Sequence, residues 1–134
     1  MRRSIVPVLA TFLLAAGPAR SEIPSRGGAQ DRVAPGIVDG ATAHELVAEG
    51  VKVVDVRTPE EYAAGHVPGA VNVPYDQMAR RSAELGPPTT PLLLYCHSGR
   101  RSGIAAQVLK EKGFTHLYDL QAYDRWLKSE PKAK

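Results

Sequence analysis

The 134-residue chain has one cysteine, Cys96. A lone thiol closes no internal disulfide, so a small scaffold stapled by bridges is excluded. The four histidines show no metal-ligand spacing with that cysteine, and neither a metal nor an organic cofactor is expected. No lysine-rich tail and no arginine patch interleaved with aromatics is present, which removes nucleic acid as a partner. There is no internal repeat. The apolar run at residues 5–16 falls well short of the roughly 20 residues that span a bilayer.

What is present begins with a leader. "MRRSIVPVLATFLLAAGPARSE" combines Arg2 and Arg3, the apolar run, and small residues around Gly17 and Ala19. That is the layout of a secretory signal peptide, with a cut expected after Ala19 or Ser21. An uncleaved anchor is the weaker reading. Arg2-Arg3 lacks the surroundings of a twin-arginine signal. No cysteine lies near the cut, so an acylated lipoprotein is excluded. The expected product is secreted or periplasmic, with no stable membrane span after processing. Loss of residues 1–19 removes two of 17 basic residues and none of 14 acidic ones, so much of the basicity belongs to the leader. Export sharpens the question of Cys96, because a free thiol in an oxidising compartment is exposed to oxidation. The plainer alternative is a small buried hydrophobe.

The remaining length and 43% hydrophobic content suit one domain with one core. Residues 20–33 read as a flexible lead of Gly, Ser, Pro and charge. "PGIVDG" can hold a short strand. In "TAHELVAEG", Thr42 and Glu45 form an expected capping box and Gly50 the stop. "VKVVDVR" suits a buried parallel strand. In "TPEEYAAG", Thr58 caps, Pro59 takes the first helical position, Glu61 completes a second box and Gly65 ends the helix. "AVNVP" is a strand, "DQMARRSAEL" a helix, and "PLLLYC" the most apolar strand. "RRSGIAAQVLKEKG" is a helix with Ile104, Ala105, Val108 and Leu109 on one face. "THLYDL" and "AYDRWLKSE" complete the alternation. Strands separated by helical lengths predict an α/β fold, a mostly parallel sheet with helices on both faces.

Cys96 then falls at the carboxyl end of a central strand, where open α/β sheets form their crevices. The following loop turns into a helix whose free N–H groups make an anion cradle. With Arg100 and Arg101 beside it, that field favours a thiolate and hence a nucleophilic sulfur. A cysteine phosphatase places arginine after five intervening residues; here that place holds Ser102, and an arginine comes one earlier. The shorter loop disfavours phosphatase or arsenate-reductase chemistry.

"VVDVRTPEEYAAGHVPGAVNVP" and "CHSGRRS" together resemble the two signatures of the single-domain rhodaneses, thiosulfate sulfurtransferases, and most of all the small exported ones. The match runs from about Ala34 to Lys128, within an expected domain at 34–130 and a tail at 131–134. The resemblance implies a rhodanese-like three-layer α/β fold. It implies that Cys96 accepts the sulfane sulfur of thiosulfate and passes it to cyanide, a thiol or a sulfur-accepting protein. The amides of His97, Ser98, Gly99, Arg100, Arg101 and Ser102 would hold the persulfide. Arg101 would attract the anionic donor, and Arg100 would be a second cation at the mouth. Asp55 and Arg57 are placed by the same analogy at the end of a neighbouring strand, as a local ion pair and capping arrangement with Glu61. His66 reads as structural, His44 and His116 as isolated. His97 either tunes the thiol or faces solvent. One departure stands out: Gln121 and Ala122 occupy the places of a frequent Gly-Gly pair. Their side chains are expected to reshape the wall facing the loop and so bear on acceptor preference. A sulfur-carrier or persulfide-binding module with little turnover is the alternative function.

Overall fold

The computed structural model describes residues 28–129; the expected signal peptide, most of the lead and the whole expected tail lie outside them. Five parallel strands form one sheet in the order β1-β5-β4-β2-β3, with β1 at Gly36–Ile37, β2 at Lys52–Asp55, β3 at Val71–Asn72, β4 at Leu92–Cys96 and β5 at Leu117–Ala122. β4 lies in the middle because all five of its residues are apolar enough to be covered on both faces, and all five are buried. Its side chains alternate between two cores. Leu93 and Tyr95 join Leu46, Val53, Tyr118, Leu120 and Trp126 on one face. Leu92, Leu94 and Cys96 join Val54, Met78, Leu109 and Phe114 on the other.

Among the described residues, six α-helices connect and cover the strands: α1 at Ala29–Arg32, α2 at Gly40–Ala48, α3 at Pro59–Ala64, α4 at Met78–Arg81, α5 at Arg100–Glu111 and α6 at Tyr123–Ser129. Thr58 caps α3 in a reciprocal box with Glu61, with Pro59 at the start and Gly65 at the end, as the local sequence requires. Helix α5 buries Ser102, Ala105 and Leu109. Ile104, expected on that inner face, is 39% exposed.

Three expectations change. Helix α2 starts earlier than "TAHELVAEG" suggested: Asp39 is the cap and accepts the Thr42 N–H at 2.8 Å. Both residue types cap well, and the earlier start brings Gly40 against Arg125 and Ser129 of α6, where a side chain would collide. The stretch "DQMARRSAEL" is not one helix but 3-10 turns at Tyr75–Gln77 and Ser82–Leu85 around the four-residue α4. Only Met78 and Leu85 of it are buried, too few contacts to hold a longer helix on the sheet. The end of the lead is ordered as α1, with Ala29 fully buried. The Glu49 carboxylate supplies the reason by accepting the Ala29 N–H at 2.6 Å.

Candidate active site

Strand β4 ends on Cys96, and α5 begins at Arg100 after three intervening residues. Gly99 makes that sharp turn possible: it takes φ +101° at the N-cap, a conformation that costs glycine little. The turn aims its N–H back at the sulfur, with Gly99 N donating to Cys96 Sγ at 2.8 Å. Of the amides from 97 to 102 expected to cradle a persulfide, this is the one bonded to Sγ. The Cys96 thiol is fully buried and donates to Ser102 Oγ at 3.7 Å. Ser102, also buried, donates in turn to the Gly99 carbonyl at 3.0 Å. His97 and Ser98 are exposed at the tip of the loop.

The two arginines have different surroundings. Arg101 forms a two-pronged ion pair with Glu61 of α3, at 2.6 and 3.0 Å. Arg101 holds the Glu61 carboxyl down to about 2, against burial and with help from Thr58. The expected anion-attracting residue is therefore already neutralised by a carboxylate, because the capping box of α3 presents Glu61 to the loop. Arg100 is exposed and has no ion pair among the described residues.

Asp55 and Arg57 do stand at the end of the strand next to β4, but Glu61 is not their partner. Asp55 accepts from Arg57 Nε and Nη2, the shorter bond at 2.6 Å, and from the Tyr95 hydroxyl at 2.7 Å. Burial opposes the Arg57 charge, and Asp55 more than restores it. The guanidinium carbon lies 5.4 and 4.8 Å from the ring centres of Tyr95 and Tyr123, and Nη2 also donates to the Gly65 carbonyl. Asp55 shares the sheet face of Val53 and Tyr95, opposite to that of Cys96. The pair supports the neighbouring strand end and does not touch the sulfur.

Each remaining histidine has a local partner. His66 stacks on Tyr62 at 3.7 Å, with Nδ1 2.8 Å from the Tyr62 carbonyl, a structural arrangement. His44 is not isolated: it stacks on Trp126 at 3.5 Å and joins α2 to α6. His116 meets Thr115 at the surface. No three of His, Cys, Asp and Glu cluster to hold a metal among the described residues.

Opposite the loop, β5 carries a bulge. Leu94 pairs with Asp119 and Tyr95 with Gln121, so Leu120 is the extra residue. The bulge leaves Gln121 at φ +72°, the only non-glycine described residue with positive φ. Its Cβ stands so close to Gly99 that a side chain on the glycine would meet it at 2.9 Å. The departure at Gln121 is thus part of the wall of the active loop. Sequence reasoning missed Asp119, buried in β5, whose Oδ1 accepts the Gln121 N–H at 2.8 Å across the bulge. An acid inside "LYDLQA" was the available signal.

The profile of the Rhodanese-like domain matches residues 40–129. Thiosulfate sulfurtransferase PspE of Escherichia coli is 42% identical over 65 residues, 48% of this chain and 62% of that protein. The putative sulfur carrier protein YrkF of Bacillus subtilis is 41% identical over 72 residues, 54% of this chain and 38% of that one. The chain thus spans less than two thirds of either bacterial relative. Among solved structures, the human single-domain sulfurtransferase TSTD1 superposes with a TM-score of 0.64 at 28% identity, covering 74% of this chain and 99% of that one. The five-stranded parallel sheet, the cysteine loop at its carboxyl edge and the match over residues 40–129 agree, and the chain belongs to the rhodanese-like family.

Proposed function

We propose that this protein is a thiosulfate sulfurtransferase working by double displacement through a Cys96 persulfide. The observation that carries the reading is the sulfur's position: buried at the end of β4, 2.8 Å from the Gly99 N–H, at the first turn of a 12-residue helix. That arrangement favours negative charge on sulfur, whether thiolate or persulfide. In the first step the Cys96 thiolate attacks the outer sulfur of thiosulfate. A sulfur–sulfur bond forms to Cys96, the one inside thiosulfate breaks, and sulfite leaves with the electron pair. In the second step cyanide or a thiol takes the outer sulfur, and the electron pair of the broken bond returns to Cys96. No net oxidant or reductant is required with cyanide, and the products are sulfite and thiocyanate. Arg100, exposed and unpaired among the described residues, is the cation that draws the anionic donor; Arg101 braces the loop through Glu61.

The name of the Bacillus relative favours a second reading, a sulfur carrier that loads Cys96 and hands the sulfur to a partner protein. Turnover separates the two. A sulfurtransferase forms thiocyanate repeatedly from thiosulfate and cyanide, whereas a carrier stops after one sulfur per chain. We place the protein outside the cytoplasm after loss of residues 1–19 or 1–21, on the strength of the basic, apolar and small-residue order of the leader.

A further inference from the structure

Gln121 stands at φ +72°, a conformation that a glycine would take at little cost and that any other residue holds against its own preference. A side chain kept there is a candidate for work that glycine cannot do. The β5 bulge turns Gln121 out of the alternation of the strand, and Asp119 Oδ1 secures the turn by accepting its N–H at 2.8 Å. Turned in this way, Gln121 lies against the active loop. A Cβ on Gly99 would meet Gln121 Cβ at 2.9 Å, its Cγ at 3.4 Å and its Cα at 3.6 Å. Gln121 therefore covers the Gly99 Cα.

The orientation of Gly99 matters to the sulfur. Its carbonyl side is tied into α5, accepting from Gly103 N at 3.1 Å and from Ser102 Oγ at 3.0 Å. Its amide side follows the exposed His97 and Ser98 and carries the N–H that donates to Cys96 Sγ at 2.8 Å. A glycine resists rotation of its own backbone less than any other residue, so an amide aimed by one needs a neighbour to hold it. We propose that Gln121 is a positioning residue for the Cys96 sulfur: its Cβ, brought against Gly99 by the bulge, keeps the Gly99 N–H on the sulfur. A glycine at this place would remove the conformational cost and the contact together. The inference rests on the reading of Cys96 as the sulfur-carrying nucleophile.

The test is the ultraviolet thiolate titration of Cys96, the sole cysteine of the chain, in wild type, Gln121→Ala and Gln121→Gly, with Cys96→Ser as the blank for tyrosine and with urea unfolding of each variant. Alanine retains the Cβ and lacks only the rest of the side chain. Gln121→Gly should raise the thiol midpoint by about one pH unit, the worth of one hydrogen bond to a charged group. Its urea midpoint should equal or exceed that of wild type, because positive φ suits glycine. Gln121→Ala should titrate close to wild type. Both substitutions leave in place Arg101, which interacts electrostatically with Cys96, and its partner Glu61. Loss of the side chain also admits water, which favours the thiolate and lowers the midpoint, so easier access cannot imitate the expected rise. An unchanged or lowered thiol midpoint in Gln121→Gly, or an equal rise in Gln121→Ala, would overturn the proposal. A rise accompanied by a lower urea midpoint, as general loosening would give, would overturn it too. The titration needs no thiosulfate, so a failure of Cys96 to take up sulfur would count against the proposed function and leave this result standing.

Discussion

At the scale of single residues, the two arginines after Cys96 divide their work, and different measurements read them. Arg100→Ala is expected to raise KM for thiosulfate several-fold with kcat little changed, since an exposed cation contributes mainly to attracting the anion. The loss should shrink as salt is added, and steady-state kinetics across ionic strength check both points. Arg101→Ala should be seen in stability. The carboxyl of Glu61 is held at about 2 in the folded protein against an ordinary 4.5. Its contribution is therefore complete above the ordinary value and is lost as the pH falls through the folded one. With side chains 21% and 33% exposed, the pair is worth about 1 kcal/mol. Urea unfolding of wild type and variant should differ by that amount above about pH 5, with the gap closing toward pH 2. Cys96 and its loop were legible because the motif is contiguous. The Arg101–Glu61 pair was not, since 40 positions separate its members and only folding brings α3 to the loop. Asp119 escaped because its burial comes from the packing of β5 in the sheet, which no local pattern marks.

At the scale of elements, local signals succeeded where they were unique and failed where two residues competed. Thr58, Pro59, Glu61 and Gly65 fix α3 without rival, and the structure follows them. Around α2, Asp39 and Thr42 are both competent caps, and the packing of Gly40 on α6 selects Asp39. Thr58→Ala should accordingly lower stability by about 1 kcal/mol. Thr42→Ala should lose no cap, and its urea midpoint should stay near that of wild type, whereas Asp39→Ala should lower it. The segment between β3 and β4 had helical composition but too little apolar surface for a regular helix, which propensity alone does not reveal. The bulge in β5 was equally hidden, because it arises from pairing with β4 and leaves no local mark other than an unusual glutamine.

At the scale of the whole molecule, the alternation of strands and helices sufficed for the layered parallel sheet, because the all-apolar β4 can only be central and the β–helix–β connections can only be parallel at these lengths. The β1-β5-β4-β2-β3 order adds what composition could not: β5, last in sequence, lies between β4 and the first strand and brings Gln121 to the active loop. The leader lies outside the described fold, which begins at Gly28. Intact-mass measurement on protein exported by its native host should find a chain starting at Arg20 or Glu22, and a full-length cytosolic product would contradict the proposed export.

The central claim, that Cys96 carries sulfur in a catalytic cycle, is tested most directly by following one sample with thiosulfate and then cyanide. Mass spectrometry should show the gain of one sulfur on Cys96 after thiosulfate alone, its loss on adding cyanide, and thiocyanate forming over many turnovers when both are present. Cys96→Ser should show none of these while keeping the melting temperature of a folded domain. No sulfur on Cys96, or thiocyanate formed as fast by Cys96→Ser, would contradict the account.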